Sequence, residues 1–140
     1  MALPDYEVLG HTADVRLRAR GETMERLFVN AARGMFHILA GDVKVRPIQR
    51  QAVEVDAPDR EALLVAWLNE LLFYSAAKRV VFGEFEIGEL SDQKIRATAC
   101  GEPIDELAAP LETELKAATY HGLSVIETPA GWVAEVLFDA

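Results

Sequence analysis

Val15, Leu17 and Ala19 alternate with Arg16, Arg18 and Arg20, the period-two rhythm of a strand buried on one face. A short strand over Tyr6–Leu9, ended by Gly10, precedes it, and Gly21 closes it. From Met24 the period changes. Leu27, Phe28, Ala31, Met35, Phe36 and Leu39 recur at steps of three and four, which predicts a helix capped by Thr23 and stopped by Gly41. Pro47 keeps the next stretch irregular, and Val53 and Val55 mark a strand that ends at Pro58. Asp59 then caps a second helix, with Glu61 in its first turn and Lys78 and Arg79 in its last. Its inner stripe runs through Leu63, Leu64, Trp67, Leu68, Leu71, Leu72 and Ser75, and Asn69 and Glu70 fall outside it on a solvated face.

The second half of the chain is β-rich. Val81, Phe85 and Ile87 form one strand face opposite Glu84 and Glu86. A turn at Ser91-Asp92 leads into Ile95, Ala97 and Ala99, so this pair reads as a hairpin. Residues 101–110 form a polar, proline-bearing loop. Thr113, Leu115 and Ala117 then face opposite Glu114, Lys116 and Ala118 in a strand that Gly122 breaks. Leu123 and Val125 begin another, Pro129-Ala130-Gly131 turns the chain, and Trp132–Phe138 closes it. Runs of strands with only two helices predict an α+β domain over residues 1–140: a mixed sheet of about seven to eight strands with two amphipathic helices packed on it.

At 140 residues, 51% hydrophobic and 26% charged, the chain suits one globular domain with its own core and argues against disorder. The net charge of −9 argues against direct nucleic-acid binding, which needs Lys and Arg to displace counterions from phosphates. It suits a metal ion or a basic partner. Cys100 is the only cysteine, so no internal disulfide or thiolate cluster forms; it reads as an inert buried thiol, and a reducing cytoplasm is expected. No apolar run reaches membrane-spanning length, and no basic region precedes an apolar stretch at the N-terminus, so neither a membrane span nor a secretory signal is expected.

Glycine-rich phosphate loops, His-Glu-x-x-His and Gly-x-Ser-x-Gly are all missing. His37 reads as a helix-surface or packing residue, and Trp67 and Trp132 as core. Three places remain for chemistry. His11-Thr12-Ala13-Asp14 lies between two strands. Residues 116–122 gather Lys116, Thr119, Tyr120 and His121 before a glycine. The chain ends in Asp139-Ala140, where a side-chain carboxylate adjoins the α-carboxylate. If Asp14 folds beside that end, three carboxylates converge, and a hard cation such as Ca²⁺ or Mg²⁺ would neutralise them. Spacing alone leaves the plainer alternative standing: a turn residue at Asp14 and a solvated, frayed end at Asp139.

These blocks resemble the archease family. The likeness is carried by His11 to Asp14, by Ala31-Ala32-Arg33-Gly34-Met35-Phe36, and by Trp67-Leu68-Asn69-Glu70-Leu71-Leu72. Glu114-Leu115-Lys116-Ala117 with Thr119-Tyr120-His121-Gly122 continues it, and Gly131-Trp132 through Phe138-Asp139 closes it, all in order from about Tyr6 to the last residue. The resemblance implies a small accessory protein, not itself an enzyme, that activates an RtcB-type tRNA-splicing RNA ligase. It would promote that ligase's GTP-dependent guanylylation and its turnover. It also implies a divalent-metal site, with calcium, formed by Asp14, Asp139 and the terminal residue Ala140. Two positions depart from the family pattern. Ala140 stands where a larger aliphatic residue is usual, and Ala109 where a His is frequent.

His11 is a candidate to orient Asp14 or touch the ligase, with a satisfied loop histidine as the alternative. Glu114 and Lys116, on one strand face at period two, are candidates for a charged pair near the carboxylates, and His121 for a partner contact; a solvated strand face and a turn residue explain them as well. The rival function is a general protein or RNA-modification chaperone, which would be indifferent to Asp14 and Asp139. An independent metallohydrolase is disfavoured, because no general base or nucleophile accompanies the carboxylates.

Overall fold

Both helices begin where the sequence predicts. Thr23 Oγ1 accepts from Arg26 N at 3.1 Å and Asp59 Oδ1 from Ala62 N at 2.8 Å, so each cap satisfies an N–H that its helix leaves open. The computed structural model describes residues 3–11 and 14–140. Within them the order is β1 (Tyr6–His11), β2 (Asp14–Gly21), α1 (Met24–Ala40), β3 (Gln49–Asp56), α2 (Arg60–Lys78), β4 (Val80–Leu90), β5 (Lys94–Pro103), β6 (Ala117–Thr128) and β7 (Gly131–Asp139). Gly41, at φ 72°, ends α1 and donates its N–H to His37 O at 2.7 Å.

The α+β class and the two helices are as expected, but the described strands form two antiparallel sheets instead of one mixed sheet. One runs β1-β2-β7-β6 and the other β3-β5-β4. The hairpins β4–β5 and β6–β7 are antiparallel by construction, and α1 carries the chain from the first sheet to the second. Nor do the helices lie on one face of a single sheet. Packing of α1 is chiefly against β2 and β4, and of α2 against β6 and β3, so each helix touches both sheets. This is why three consecutive residues of α2, Leu63, Leu64 and Val65, are all buried, where a helix on one sheet would bury a narrower stripe.

One apolar cluster draws on both sheets and both helices. Trp67 is fully buried and donates Nε1–H to Phe28 O at 3.1 Å, joining α2 to α1. Phe36, Phe82 and Phe85 pack edge-to-face and stacked beside it. Cys100 is buried as expected. Trp132 departs from its expected core role: it is half-buried, and the Arg60 guanidinium lies over its ring at 4.7 Å.

Two parts of the polar second half differ from the sequence reading. The first is residues 101–103, which continue β5 and do not belong to a loop; there Glu102 is buried and held by Arg46. Arg46 N donates to Glu102 Oε1 at 2.9 Å, and its Nε and Nη2 donate to Oε2 at 2.9 and 2.7 Å, which fixes the irregular link between α1 and β3. The second is the stretch before β6. Residues 113–116 are not a strand, because the N–H groups of Glu112 and Thr113 turn to Leu39 O at the end of α1, at 2.8 and 3.3 Å. Strand β6 starts at Ala117 and runs through Gly122 without a break. Its register shifts between Thr119 and Ser124, and Gly122 takes the bulge at φ 67°.

Candidate functional site

The two central strands of the four-stranded sheet, β2 and β7, bring the start of one beside the end of the other. Leu17, Ala19, Val136 and Phe138 point to the core, so the alternate residues of β2 and β7 point outward. Along that outer face the ladder pairs Arg20 with Val133, Arg18 with Glu135, Arg16 with Leu137 and, at its end, Asp14 with Asp139. Both aspartates are exposed, as is Ala140 just beyond.

The charges along this face are not evenly matched. Arg18 bridges Glu135 at 2.9 Å and Glu7 at 3.4 Å, and Arg20 meets Glu7 at 2.7 Å. These contacts lower the Glu7 pKa, chiefly through its hydrogen bond to Arg20, and raise that of Arg18, chiefly through Glu135. Asp14 and Asp139 instead face a like charge, an arrangement that destabilises a strand pair. Facing residues of an antiparallel pair lie about 5 Å apart at Cβ, a span that two carboxylates can close on one oxygen-ligated cation. The two side-chain donors here are hard oxygens, which suit Ca²⁺ or Mg²⁺ and not a soft metal. Among the described residues, no three His, Cys, Asp or Glu side chains gather as a metal cluster.

The other candidates divide. Lys116 reaches this end through its backbone, its N–H donating to Asp139 O at 2.8 Å. Its side chain is exposed, as is that of Glu114, and no ion pair joins them among the described residues. Outside a strand, their period-two spacing no longer places them on one face. His121 is exposed in the β6 bulge, its N–H donating to Thr119 Oγ1 at 3.3 Å. His11 ends β1 opposite Val15, while its side chain, together with Thr12 and Ala13, lies outside the described residues.

Two polar arrangements were missed by the sequence reading. Asn69 is half-buried, not solvated: its Nδ2 donates to Ala118 O at 3.1 Å, and its Oδ1 accepts from Ala118 N at 2.7 Å. Its placement four residues before Phe73 and two after Trp67, between stripe positions, gave no sign of this. His37 bonds through Nδ1 to the Tyr6 hydroxyl at 2.8 Å and meets Asp42 through Nε2 at 2.9 Å, beside a cavity of about 310 Å³. This chain of contacts ties β1 to the end of α1; with Tyr6 a whole strand away from the helix in sequence, nothing local signals it.

Fold and site together define a small α+β protein with an acidic pair at the end of the ladder between two central strands of its four-stranded sheet. Residues 6–140 match the model of the Archease protein family (MTH1598/TM1083). Protein archease of Methanosarcina mazei is 41% identical over 138 residues, covering 96% of this chain and 94% of that protein. Protein archease of Methanopyrus kandleri is 36% identical over 137 residues, covering 96% and 98%. The solution structure of Methanobacterium thermoautotrophicum protein 1598 superposes with a TM-score of 0.75 at 31% identity, covering 97% and 99%. An archease of Thermotoga maritima, described as a possible chaperone, shares the fold at a TM-score of 0.64 and 20% identity, covering 100% and 98%. The chain belongs to the archease family.

Proposed function

We propose that this protein activates an RtcB-type tRNA-splicing RNA ligase by presenting a cation-bearing acidic end to it. The observation that carries the reading is the pairing of Asp14 with Asp139 at the open end of the β2–β7 ladder. Archease membership supports the ligase as partner, and the facing carboxylates support a divalent cation, calcium in the first instance. Asp14, Asp139 and the main-chain carboxylate of Ala140 would hold it. The cation would neutralise like charges that otherwise repel. His11 and Lys116 border this end, and His121 lies farther along β6 in its bulge; all three are candidate contacts to the ligase.

The protein acts as an effector. It binds one ligase conformation, competent for GTP-dependent guanylylation, more tightly than the other, since only differential affinity shifts a partner's equilibrium. The experiment is guanylylation of the cognate ligase with GTP, with and without this protein. Faster labelling of the ligase by GMP, blunted by Asp14→Asn, supports the reading; an unchanged rate with an active ligase overturns it.

A chaperone role is the second reading, favoured by the apolar side chains that stand exposed, Phe73 at 60% and Ile126 at 56% among them. It predicts suppression of aggregation of unrelated clients that is indifferent to Asp14→Asn.

A further inference from the structure

Asn69 reaches from α2 to the one strand of the four-stranded sheet that pairs only with β7. An edge strand leaves alternate backbone groups unpaired. At Ala118 the Asn69 side chain satisfies both: the amide donates to the carbonyl and its oxygen accepts from the N–H, at 3.1 and 2.7 Å. The side chain stands in for a neighbouring strand.

The position of that clamp is what gives it consequence. Ala118 faces Phe138 across the ladder, Ala117 faces Asp139, and the Lys116 N–H bonds Asp139 O at 2.8 Å. Asp139 in turn faces Asp14. Immediately before Ala117 the chain is irregular, and immediately after Thr119 the register shifts. Only a short run of regular pairing therefore supports the acidic end from this side, and Asn69 grips its middle.

We infer that Asn69 is a positioning residue: it bolts the start of β6 to α2 and so holds the backbone of Asp139 in the arrangement that pairs it with Asp14. The inference rests on the cation reading above only for its functional consequence; the tether itself is independent of it. Losing the clamp frees Ala118, loosens the Lys116–Asp139 bond and spreads the two carboxylates over more arrangements, so a cation has to order them on binding. Asn69→Asp separates geometry from charge. The carboxylate keeps an acceptor for Ala118 N–H but sets a second oxygen against Ala118 O, while adding a negative charge near the acidic end. A purely electrostatic effect would tighten cation binding in this variant.

The test compares wild type, Asn69→Ala, Asn69→Asp, Asp14→Asn and Val53→Ala by calcium titration and amide hydrogen exchange. Val53 is buried in the other sheet, so its variant matches a loss of stability without touching the tether. Losing one such pair of hydrogen bonds sets the expected scale: both Asn69 variants weaken calcium binding about fivefold or more, and Val53→Ala leaves it unchanged. Exchange at the Lys116 amide quickens in Asn69→Ala relative to Val53→Ala. Unchanged Lys116 exchange overturns the tether, whether or not calcium binds. Wild-type affinity in Asn69→Ala, or tighter binding in Asn69→Asp, overturns the positioning role while Asp14→Asn still loses calcium. If Asp14→Asn binds calcium like wild type, it is the cation site that fails, and the exchange result alone then decides the tether.

Discussion

Asp14 and Asp139 face each other at the last rung of the β2–β7 ladder, joining the start of one strand to the end of the other. On the same face Arg18 is paired with Glu135 and Glu7, and Arg20 with Glu7. An antiparallel pair places opposed side chains close enough to interact, so this rung costs stability unless something positive sits over it. The fold accepts that cost at an exposed end of the ladder and not in its core.

Replacing either aspartate by asparagine keeps shape and removes one charge. Asp14→Asn or Asp139→Asn is expected to weaken calcium binding roughly tenfold or more, since affinity at oxygen sites follows ligand charge. Without cation the variants should be more stable than wild type by about 0.5 kcal/mol, because the like-charge pair is relieved. Calorimetric titration and thermal melts with and without chelator check both signs.

A tag following Ala140 converts its α-carboxylate into a peptide carbonyl and crowds the acidic end. Calcium affinity and ligase stimulation should both fall relative to the same tag placed before Met1, with the melting temperature unchanged, because Ala140 is exposed and outside the core. Equal behaviour of the two tagged forms excludes the terminal carboxylate as a ligand.

The Arg46–Glu102 pair sets a pH dependence. Hydrogen bonds from the Arg46 side chain and backbone hold the Glu102 carboxyl below the usual carboxylate range. A lowered folded-state pKa means that its contribution is complete above the unfolded value and is lost as pH falls through the folded one. Glu102→Gln is therefore expected to be less stable than wild type at pH 7, with the gap closing as pH drops below about 4. Urea denaturation across that range reads the gap directly.

Two glycines test the packing. A methyl at Gly34 would meet Leu17 Cδ1 at 2.7 Å and Tyr6 Cγ at 3.0 Å, which outweighs the helix propensity gained, so Gly34→Ala should cost about 1–3 kcal/mol. At Gly101 the methyl would run into the backbone of Val81 on the neighbouring strand, and backbone yields less than a leucine tip. Gly101→Ala should be the more damaging of the two by chemical denaturation.

Periodicity made both helices legible together with their caps, because Thr23 and Asp59 act locally and announce themselves beside an apolar rhythm. It also gave the alternation of β2 and β7. What it did not give was the division into two sheets: alternation says which face is buried and nothing about which strand is the neighbour. Residues 113–116 misled for a related reason. Their alternation was real, but Glu112 and Thr113 spend their N–H groups on Leu39 O instead of on a strand. Asp14 and Asp139 were picked out as carboxylates near chain ends, while their facing register needed the folded sheet. Asn69 was lost because a polar residue beside a helix stripe looks solvated until the strand it grips is in place.

Multiple-turnover ligation of RNA halves by the cognate ligase tests the central claim most directly, run with GTP, divalent metal and substoichiometric amounts of this protein. The account predicts that the protein alone joins nothing, that it raises the ligase's turnover, and that Asp14→Asn, folded by its melting curve, raises it much less. An active ligase whose turnover is the same with and without the protein would contradict it.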